Sequence, residues 1–311
     1  MSEKTGPGGI GLIFAQACKA YFQLTRLHKF PLGNILVIWP CMWGATMAAY
    51  KAQISASQLV TQVALFVLGG TLVHSAACII NDICDIEFDR KVERTKNRPL
   101  AAGLIPVSGA WKLLSVMTIG CFAFLSLANS YAAFIGIFGV FPFHTLYPMM
   151  KRWTWWPQAW LGVAMNWGFL VAWLSVNPHY TEADIRLMLV MLIGMIFWTL
   201  VYDTEYACQD RRDNVKAGVK LTALLFGSHV REVLVTFSVT FLACLVLGGI
   251  LNGQTAVYFV FSCRGAALHF AWQFLTWDIN DPADCGVKFK SNGDLGYLVW
   301  AGLLLDYLMK M

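Results

Sequence analysis

Nine apolar stretches, each about as long as a membrane-crossing helix, dominate this 311-residue chain. They lie at 30–50, 57–80, 107–129, 131–149, 157–176, 184–207, 233–251, 254–276 and 293–310. About 20 apolar residues cross the ~30 Å hydrocarbon core of a bilayer. At that depth every backbone N–H and C=O must be paired internally, which admits only helices or a closed barrel. A barrel would read as short segments of alternating polarity, and these runs are continuous. Composition agrees, with 58% hydrophobic and 13% charged residues, about half the roughly 25% charge of a soluble domain. The 13 Trp suit a protein with two membrane–water interfaces to line. A soluble globule, a disordered chain and a collagen are excluded. The expectation is an all-α integral membrane protein: about nine transmembrane helices in one bundle over 30–311, after a cytosolic N-terminal segment over 1–29. Two spans are irregular: the fourth contains Pro142 and Pro148, and the eighth carries Arg264 and His269 in mid-segment.

The basic residues orient the bundle. With nine spans, Lys51, Arg186 and Lys310 fall on one side and Arg264 within a span, so 19 of the 23 Lys and Arg share the other face. Such a bias marks the cytosolic side. The first 13 residues hold one Lys and no Arg, unlike a mitochondrial presequence or a signal peptide. Their GPGGIG run reads as a flexible terminus. Residues 14–29 mix Phe14, Tyr21, Phe22, Leu24 and Leu27 with Lys19, Arg26 and Lys29, the pattern of an interfacial helix. The nine cysteines are scattered without a CxxC pair, so neither a zinc site nor a disulfide framework is expected. His74, His144 and His269 read as packing or cavity residues.

Two acidic clusters stand out against this charge-poor background. The first, Asn81-Asp82-Ile-Cys-Asp85-Ile-Glu-Phe-Asp89, closes the second span on the cytosolic side. Its i,i+3 and i,i+4 spacings place Asn81, Asp82, Asp85 and Asp89 on one helix face. Converging oxygens of this kind repel unless a divalent cation sits among them, and hard oxygen ligands at a polar mouth suit Mg²⁺ shared with a phosphate. The second cluster closes the sixth span, with Asp203, Asp210, Asp213 and Asn214. On a continuous helix Asp203 and Asp210 lie two turns apart on one face. Arg94 and Arg98 follow the first cluster, Lys216 and Lys220 the second, and Lys151 and Arg152 lie between. Carboxylates for metal interleaved with cations for phosphate oxygens describe a site for a diphosphate ester. The blander readings are charge-balanced helix ends, or the acids of a cation or proton transporter; transport sites sit near mid-bilayer, whereas these clusters lie at the rim.

These residues resemble the UbiA superfamily of intramembrane aromatic prenyltransferases. The family's NDxxDxxxD motif is met at Asn81, Asp82, Asp85 and Asp89, followed by the similar RTKNRPLAAG at 94–103. YDTEYACQDRRDNVKAGVKLTA at 202–223 resembles the second motif of the 4-hydroxybenzoate polyprenyltransferase branch, and YxxxK is met at Tyr147 and Lys151. RLHKFPLGNILVIWPCMWG at 26–44 and DPADCGVKFKSN at 281–292 extend the likeness over nearly the whole chain. The resemblance implies a nine-helix fold with a lateral opening to lipid, a Mg²⁺ cofactor, and a diphosphate grip in which Tyr147 and Lys151 take part. It implies metal ligands at Asn81, Asp82, Asp85, Asp89, Asp203, Asp210 and Asp213, and substrate binding by Asn81, Arg94, Arg98, Arg152, Asp213, Asn214, Lys216 and Lys220. One departure is Asp213-Asn214 where the family usually has Asp-Asp, leaving a neutral oxygen at 214. Another is the acid Glu205.

The expected reaction is C–O cleavage of an allylic diphosphate assisted by Mg²⁺, with attack on the allylic cation by a phenolic ring carbon. The tail would lie in the bundle, where aromatic faces shield the cation. The 26–44 and 202–214 segments look more like fungal meroterpenoid enzymes, which points to farnesyl transfer onto an orsellinic-type phenolic acid. Ubiquinone-type 4-hydroxybenzoate prenylation is the alternative. The expected location is the endoplasmic reticulum or another endomembrane with the site facing the cytosol, or alternatively the mitochondrial inner membrane. No nucleic-acid partner is implied, since topology and phosphate binding account for the basic charge.

Overall fold

A computed structural model describes residues 7–31 and 33–311, and every regular element in it is helical. In chain order the helices are α1 (Pro7–Leu24), α2 (Ile35–Ala52), α3 (Ala56–Cys84), α4 (Ile86–Asp89) and α5 (Val107–Leu125). There follow α6 (Ser130–Phe138), α7 (Thr145–Trp153), α8 (Pro157–Asn166), α9 (Gly168–Val176) and α10 (Glu182–Cys208). The remainder are α11 (Arg211–Ala217), α12 (Thr222–Leu225), α13 (Val230–Asn252), α14 (Ala256–Tyr258), α15 (Arg264–Thr276) and α16 (Pro282–Lys310).

The axle of the bundle is α2, whose residues are buried without interruption from Ile35 to Tyr50. It packs against α3, α9 and α16. Two indole N–H groups pin it to α16: Trp39 donates to the Gly293 carbonyl at 3.0 Å and Trp43 to the Gly296 carbonyl at 3.3 Å. Trp43 also stacks on Trp198 of α10, with ring centres 5.0 Å apart. In an apolar medium, where helices gain little from being hidden from water, such close packing and interhelical hydrogen bonds hold them together. Gly44 allows α2 and α9 to touch backbone to backbone, since a Cβ there would lie 2.5 Å from the Phe169 carbonyl oxygen.

Six segments are long and apolar enough to cross a membrane: Ala56–Cys84, Val107–Leu125, Ser130–Trp153, Pro157–Val176, Glu182–Cys208 and Gly227–Asn252. The other three expected spans fall on α2, on the 254–276 region and on α16, all helical but more polar. Burial of α2 inside protein explains why Trp39, Pro40 and Tyr50 are admitted to it. The 254–276 region is not one helix but α14, a π-helical segment over Phe259–Cys263, and α15. The fourth span is likewise broken, with a π-helical segment at Gly139–His144 in which Phe141 takes extended angles (φ −140°, ψ 123°). Phe141 precedes Pro142, and proline pushes the residue before it out of the helical region. The fifth span is interrupted only at Trp167, between α8 and α9, where the angles stay helical (φ −58°, ψ −30°).

The N-terminal segment departs from expectation at both ends. Helix α1 begins at Pro7, so Gly8, Gly9 and Gly11 are helical instead of flexible; residues 1–6 lie outside the described residues. It ends at Leu24, before Arg26 adopts left-handed angles (φ 63°), and a 3₁₀ turn follows over Leu27–Lys29. Ala20 and Leu24 pack with Ile79, Leu100, Ile105 and Ala110 in a small second core, which fastens α1 to α3 and α5.

Replacing Gly44 by Val must push α2 from α9. We expect a loss of about 2 kcal/mol, the scale of core overpacking, read as a lower melting temperature by tryptophan fluorescence in detergent. An unchanged melt would contradict the close approach of α2 and α9.

Candidate active site

Both acidic clusters sit where a long helix stops and a short one restarts. Helix α3 ends at Cys84, Asp85 leaves helical geometry (φ −101°, ψ 10°), and α4 resumes at Ile86. Helix α10 ends at Cys208, and Asp210 takes nearly the same angles (φ −110°, ψ 19°) before α11. Single-turn hydrogen bonds survive each break: Asp85 N donates to the Asn81 carbonyl at 2.9 Å, Asp89 N to that of Asp85 at 2.8 Å, and Asn214 N to that of Asp210 at 2.8 Å. The first cluster therefore keeps its expected spacing. The second does not: Asp203 and Asp210 lie on opposite sides of a helix break and do not share one continuous face.

Burial is deep in the first cluster. Asp82 is 1% exposed, and Asp85 and Asp89 are also buried. A buried carboxylate survives only if a countercharge and hydrogen bonds replace its water, and cations from three segments do so. Arg26 Nη2 donates to both oxygens of Asp82, at 2.7 and 2.8 Å. Arg98 Nη1 bridges Asp82, at 3.2 Å, and Asp89, at 2.9 Å. Lys151 Nζ lies 2.7 Å from Asp85 Oδ2 and 3.3 Å from Asn81 Oδ1, with the Tyr147 ring 5.4 Å away. Arg94 crosses to the second cluster and grips Asp210, with Nη2 at 2.6 Å and Nε at 3.0 Å, while its guanidinium covers the Tyr206 ring at 4.5 Å. The loops close on one another as well, since Glu93 N approaches Asp213 Oδ2 at 3.4 Å and Lys220 N donates to the Lys151 carbonyl at 3.0 Å.

The electrostatics follow. Burial raises the pKa of Asp89, against the pull of Arg98. Burial also works against the Arg98 guanidinium, but Asp82 and Asp89 more than offset it and hold its pKa above the ordinary value. Lys29, in the 3₁₀ turn, is pushed down by burial and by Arg26, Arg94 and Arg98 nearby.

Not every expected residue turns inward. Lys216 is 78% exposed and only 3.7 Å from Asp213. Arg152 Nη2 instead donates to the Cys84 carbonyl at 2.7 Å and lies over the Phe88 ring, bracing the end of α3. The side chain of Lys220 forms no ion pair among the described residues. The Asn214 amide approaches the Ala207 carbonyl at 3.5 Å. Glu205 lies wholly buried away from the cluster, accepting from Asn292 Nδ2 at 3.0 Å, while Asn292 accepts from Trp198 Nε1 at 2.9 Å, so it ties α10 to α16. Arg26 is the residue that sequence reasoning missed. Its position just before the first span was visible, but its contact with Asp82, 56 residues away, was not.

No three acidic, His or Cys side chains among the described residues converge as they stand on one ion position; cations occupy the space between the acids. The donor set nevertheless fits Mg²⁺. Asp85 Oδ1 is buried without a hydrogen-bond partner, and carboxylate and amide oxygens are what this ion takes.

Below the acids, toward the start of α3, lies an apolar cavity of about 220 Å³ bounded by α2, α3, α5, α6, α8 and α9. Its α3 wall runs from Gln62 to Val73, which at 1.5 Å per residue is about 14–30 Å from Asp82. His144 borders it, with Nδ1 2.6 Å from the Gly139 carbonyl. A charged mouth over an apolar cavity suits a molecule with an anionic head and a hydrocarbon tail.

Residues 37–299 match the profile of the UbiA prenyltransferase family. The chain belongs to that family. It is a multi-pass membrane prenyltransferase. Over 288 residues, 92% of this chain and 90% of the relative, it is 44% identical to the UbiA prenyltransferase claS of Ampulloclitocybe clavipes. It is 38% identical to the mitochondrial 4-hydroxybenzoate polyprenyltransferase of Schizosaccharomyces pombe, over 96% of this chain and 82% of that one. The fold is also that of a UbiA homolog from Archaeoglobus fulgidus solved with DMAPP and Mg²⁺, with a TM-score of 0.63, 15% identity, and 90% of this chain and 99% of that one covered.

Arg94 is the strap between the clusters, so Arg94→Ala should lower kcat/KM about a hundredfold, the scale of a lost charged donor in a preorganised site. Arg94→Lys should recover only part, because lysine lacks the two-pronged fork. Steady-state kinetics check this, and full activity in Arg94→Ala would show that the contact with Asp210 does not matter for turnover.

Proposed function

We propose that this enzyme transfers a farnesyl group from farnesyl diphosphate to a ring carbon of an orsellinic-type phenolic acid, as a step in meroterpenoid synthesis. One observation carries the reading: buried carboxylates interleaved with Arg26, Arg94, Arg98 and Lys151, set above an apolar cavity. Asn81, Asp82, Asp85, Asp89, Asp203, Asp210 and Asp213 are the residues that would hold Mg²⁺. When bound, the ion supplies the positive charge that makes diphosphate a leaving group.

The chain's own residues do the rest. Lys151, Arg94 and Arg98 are free to trade carboxylate oxygens for diphosphate oxygens, an exchange between anions that costs little Coulomb energy. Tyr147 lies against Lys151 and limits where its ammonium can point. The cavity holds the tail dry and keeps water from the allylic centre. As the allylic C–O bond breaks, a bond forms from that carbon to the ring, a ring proton is lost and diphosphate departs. The α3 wall of the cavity covers 11 residue steps, about 17 Å, which supports a tail of several isoprene units.

The higher identity to a fungal UbiA prenyltransferase than to the 4-hydroxybenzoate enzymes supports the acceptor order. Prenylation of 4-hydroxybenzoate is the second reading, favoured by the 38% likeness to the Schizosaccharomyces pombe enzyme. The excess of basic residues on the site face supports a cytosol-facing site in an endomembrane. Family membership leaves the transporter reading without support.

The test is diphosphate release from farnesyl diphosphate in membranes, with a panel of phenolic acids, with and without Mg²⁺. Product is expected only with Mg²⁺ and an orsellinic-type acid, and Asp85→Ala should reduce it at least about a hundredfold. Rapid turnover of 4-hydroxybenzoate with no reaction of orsellinate-type acids would reverse the order of acceptors.

A further inference from the structure

The wall of the inner cavity is largely apolar, and one side chain in it is out of keeping with the rest. His144 lines the cavity and is 9% exposed. Its Nδ1 lies 2.6 Å from the Gly139 carbonyl oxygen, which can only accept, so the ring proton sits on Nδ1 and Nε2 is left as a bare acceptor. Nε2 is buried without a hydrogen-bond partner, and among the described residues no other side chain lining this cavity has a buried polar atom in that state. Asn129 and Trp167, also in the wall, donate to the Leu174 and Ile135 carbonyls at 2.7 Å each. The imidazole is held firmly in place. It closes the π-helical segment Gly139–His144, a form frequent at functional sites. Trp160 Nε1 donates to the adjoining Phe143 carbonyl at 2.8 Å, and Thr145 Oγ1 to that of Val140 at 3.0 Å. His144, Tyr147 and Lys151 follow at i, i+3 and i+7 and share one face of α7. About 10 Å of helix separates His144 from Lys151, which holds Asp85. His74, next to Val73 at the acid-side end of the α3 wall, is close enough to feel the charge of His144. His144 therefore stands at the end of the cavity nearest the acids.

We propose that His144 is the receptor for the phenolic hydroxyl of the acceptor, Nε2 accepting its O–H and turning the aromatic ring toward the allylic carbon. The inference rests on the prenyltransferase reading. A dry acceptor nitrogen in a hydrocarbon-lined cavity calls for a ligand that brings a donor. The prenyl chain has none to offer, and its diphosphate belongs to the cations around the acids. The phenol carries an O–H. Distances agree as well: a diphosphate on Lys151, a gap of roughly 3 Å between the reacting carbons and a hydrogen bond of about 3 Å fit within the ~10 Å of helix down to His144. With the tail filling the deeper part of the cavity, the ring lies at the level of the bond that breaks. As the ring gives up electrons its hydroxyl becomes a stronger donor, so the contact tightens toward the transition state. The Gly139 carbonyl matters here too, because it fixes the tautomer whose free nitrogen accepts. An aromatic acid without a ring hydroxyl leaves Nε2 unpaired and is selected against.

Binding with the ring hydroxyls present or absent tests the assignment. In wild-type enzyme with Mg²⁺ and a non-hydrolysable farnesyl diphosphate analogue, orsellinic acid should bind about tenfold more tightly than the same acid without its ring hydroxyls, the scale of a buried acceptor left unpaired. In His144→Phe that preference should vanish while the Kd of the deoxy acid stays unchanged. His144→Gln, whose amide oxygen can accept, should restore part of it. Independently of any substitution, the Nε2 resonance of isotopically labelled histidine should shift on adding orsellinic acid and stay fixed with the deoxy acid. If 4-hydroxybenzoate proves to be the acceptor, it and benzoate form the pair. Equal wild-type affinity for the two acids, equal weakening of both in His144→Phe, or a histidine spectrum blind to the phenol overturns the assignment while Mg²⁺-dependent turnover still stands. Wild-type membranes with no Mg²⁺-dependent product from any phenolic acid overturn the prenyltransferase reading, and the hydroxyl receptor with it.

Discussion

The architecture answers to one electrostatic constraint: acids must be kept charged at the edge of a medium that cannot solvate them. Asp82 is all but sealed from solvent, and taking an ion out of water costs several kcal/mol unless countercharge and hydrogen bonds replace it. The countercharges come from far along the chain. Arg26 precedes the first long helix, Arg98 follows the second, Lys151 ends α7, and Arg94 reaches the far cluster. Each ion pair therefore doubles as a tie between segments. The loops on this face are held by the same groups that make it chemically useful.

The helix breaks serve that arrangement. A straight helix through Asp85 or Asp210 would carry the later residues of each motif on along its own axis. Leaving helical angles at those two positions turns α4 and α11 aside; Asp89 meets Arg98 of the loop that follows it, and Asp210 meets Arg94 from across the site. Below, the constraint is reversed. Gly69 and Gly70 on α3 line the space there, and the bundle keeps a cavity where a fully packed core would be more stable. A charged rim and an underpacked interior are both unfavourable for folding alone, and they adjoin each other here.

Much of this was legible from residue order. Apolar run length located helices, and the spacing within Asn81–Asp89 survived because i to i+4 hydrogen bonds bridge the break at Asp85. The bend before Pro142 was signalled by the proline itself. Other features left no local trace. The break at Asp210 has no proline or glycine to announce it, so Asp203 and Asp210 read as one helix face. Glu205 read only as a departure from the family pattern, because its partner, Asn292, lies 87 residues away on α16. Arg152 sat among basic residues that suited phosphate, yet it spends its guanidinium on the Cys84 carbonyl.

Residue order alone determined the membrane class, the helical content, the face that carries the basic residues and the two acidic motifs, because each depends on groups within a few residues of one another or on summed hydropathy. Tertiary structure alone decided which cation meets which carboxylate and that Asn292 draws Glu205 into the core. Those outcomes depend on which helices become neighbours. Neighbours are chosen by packing between distant segments, where Gly44 admits α9 and Trp39 and Trp43 fasten α16 to α2, and no spacing along the chain encodes that geometry.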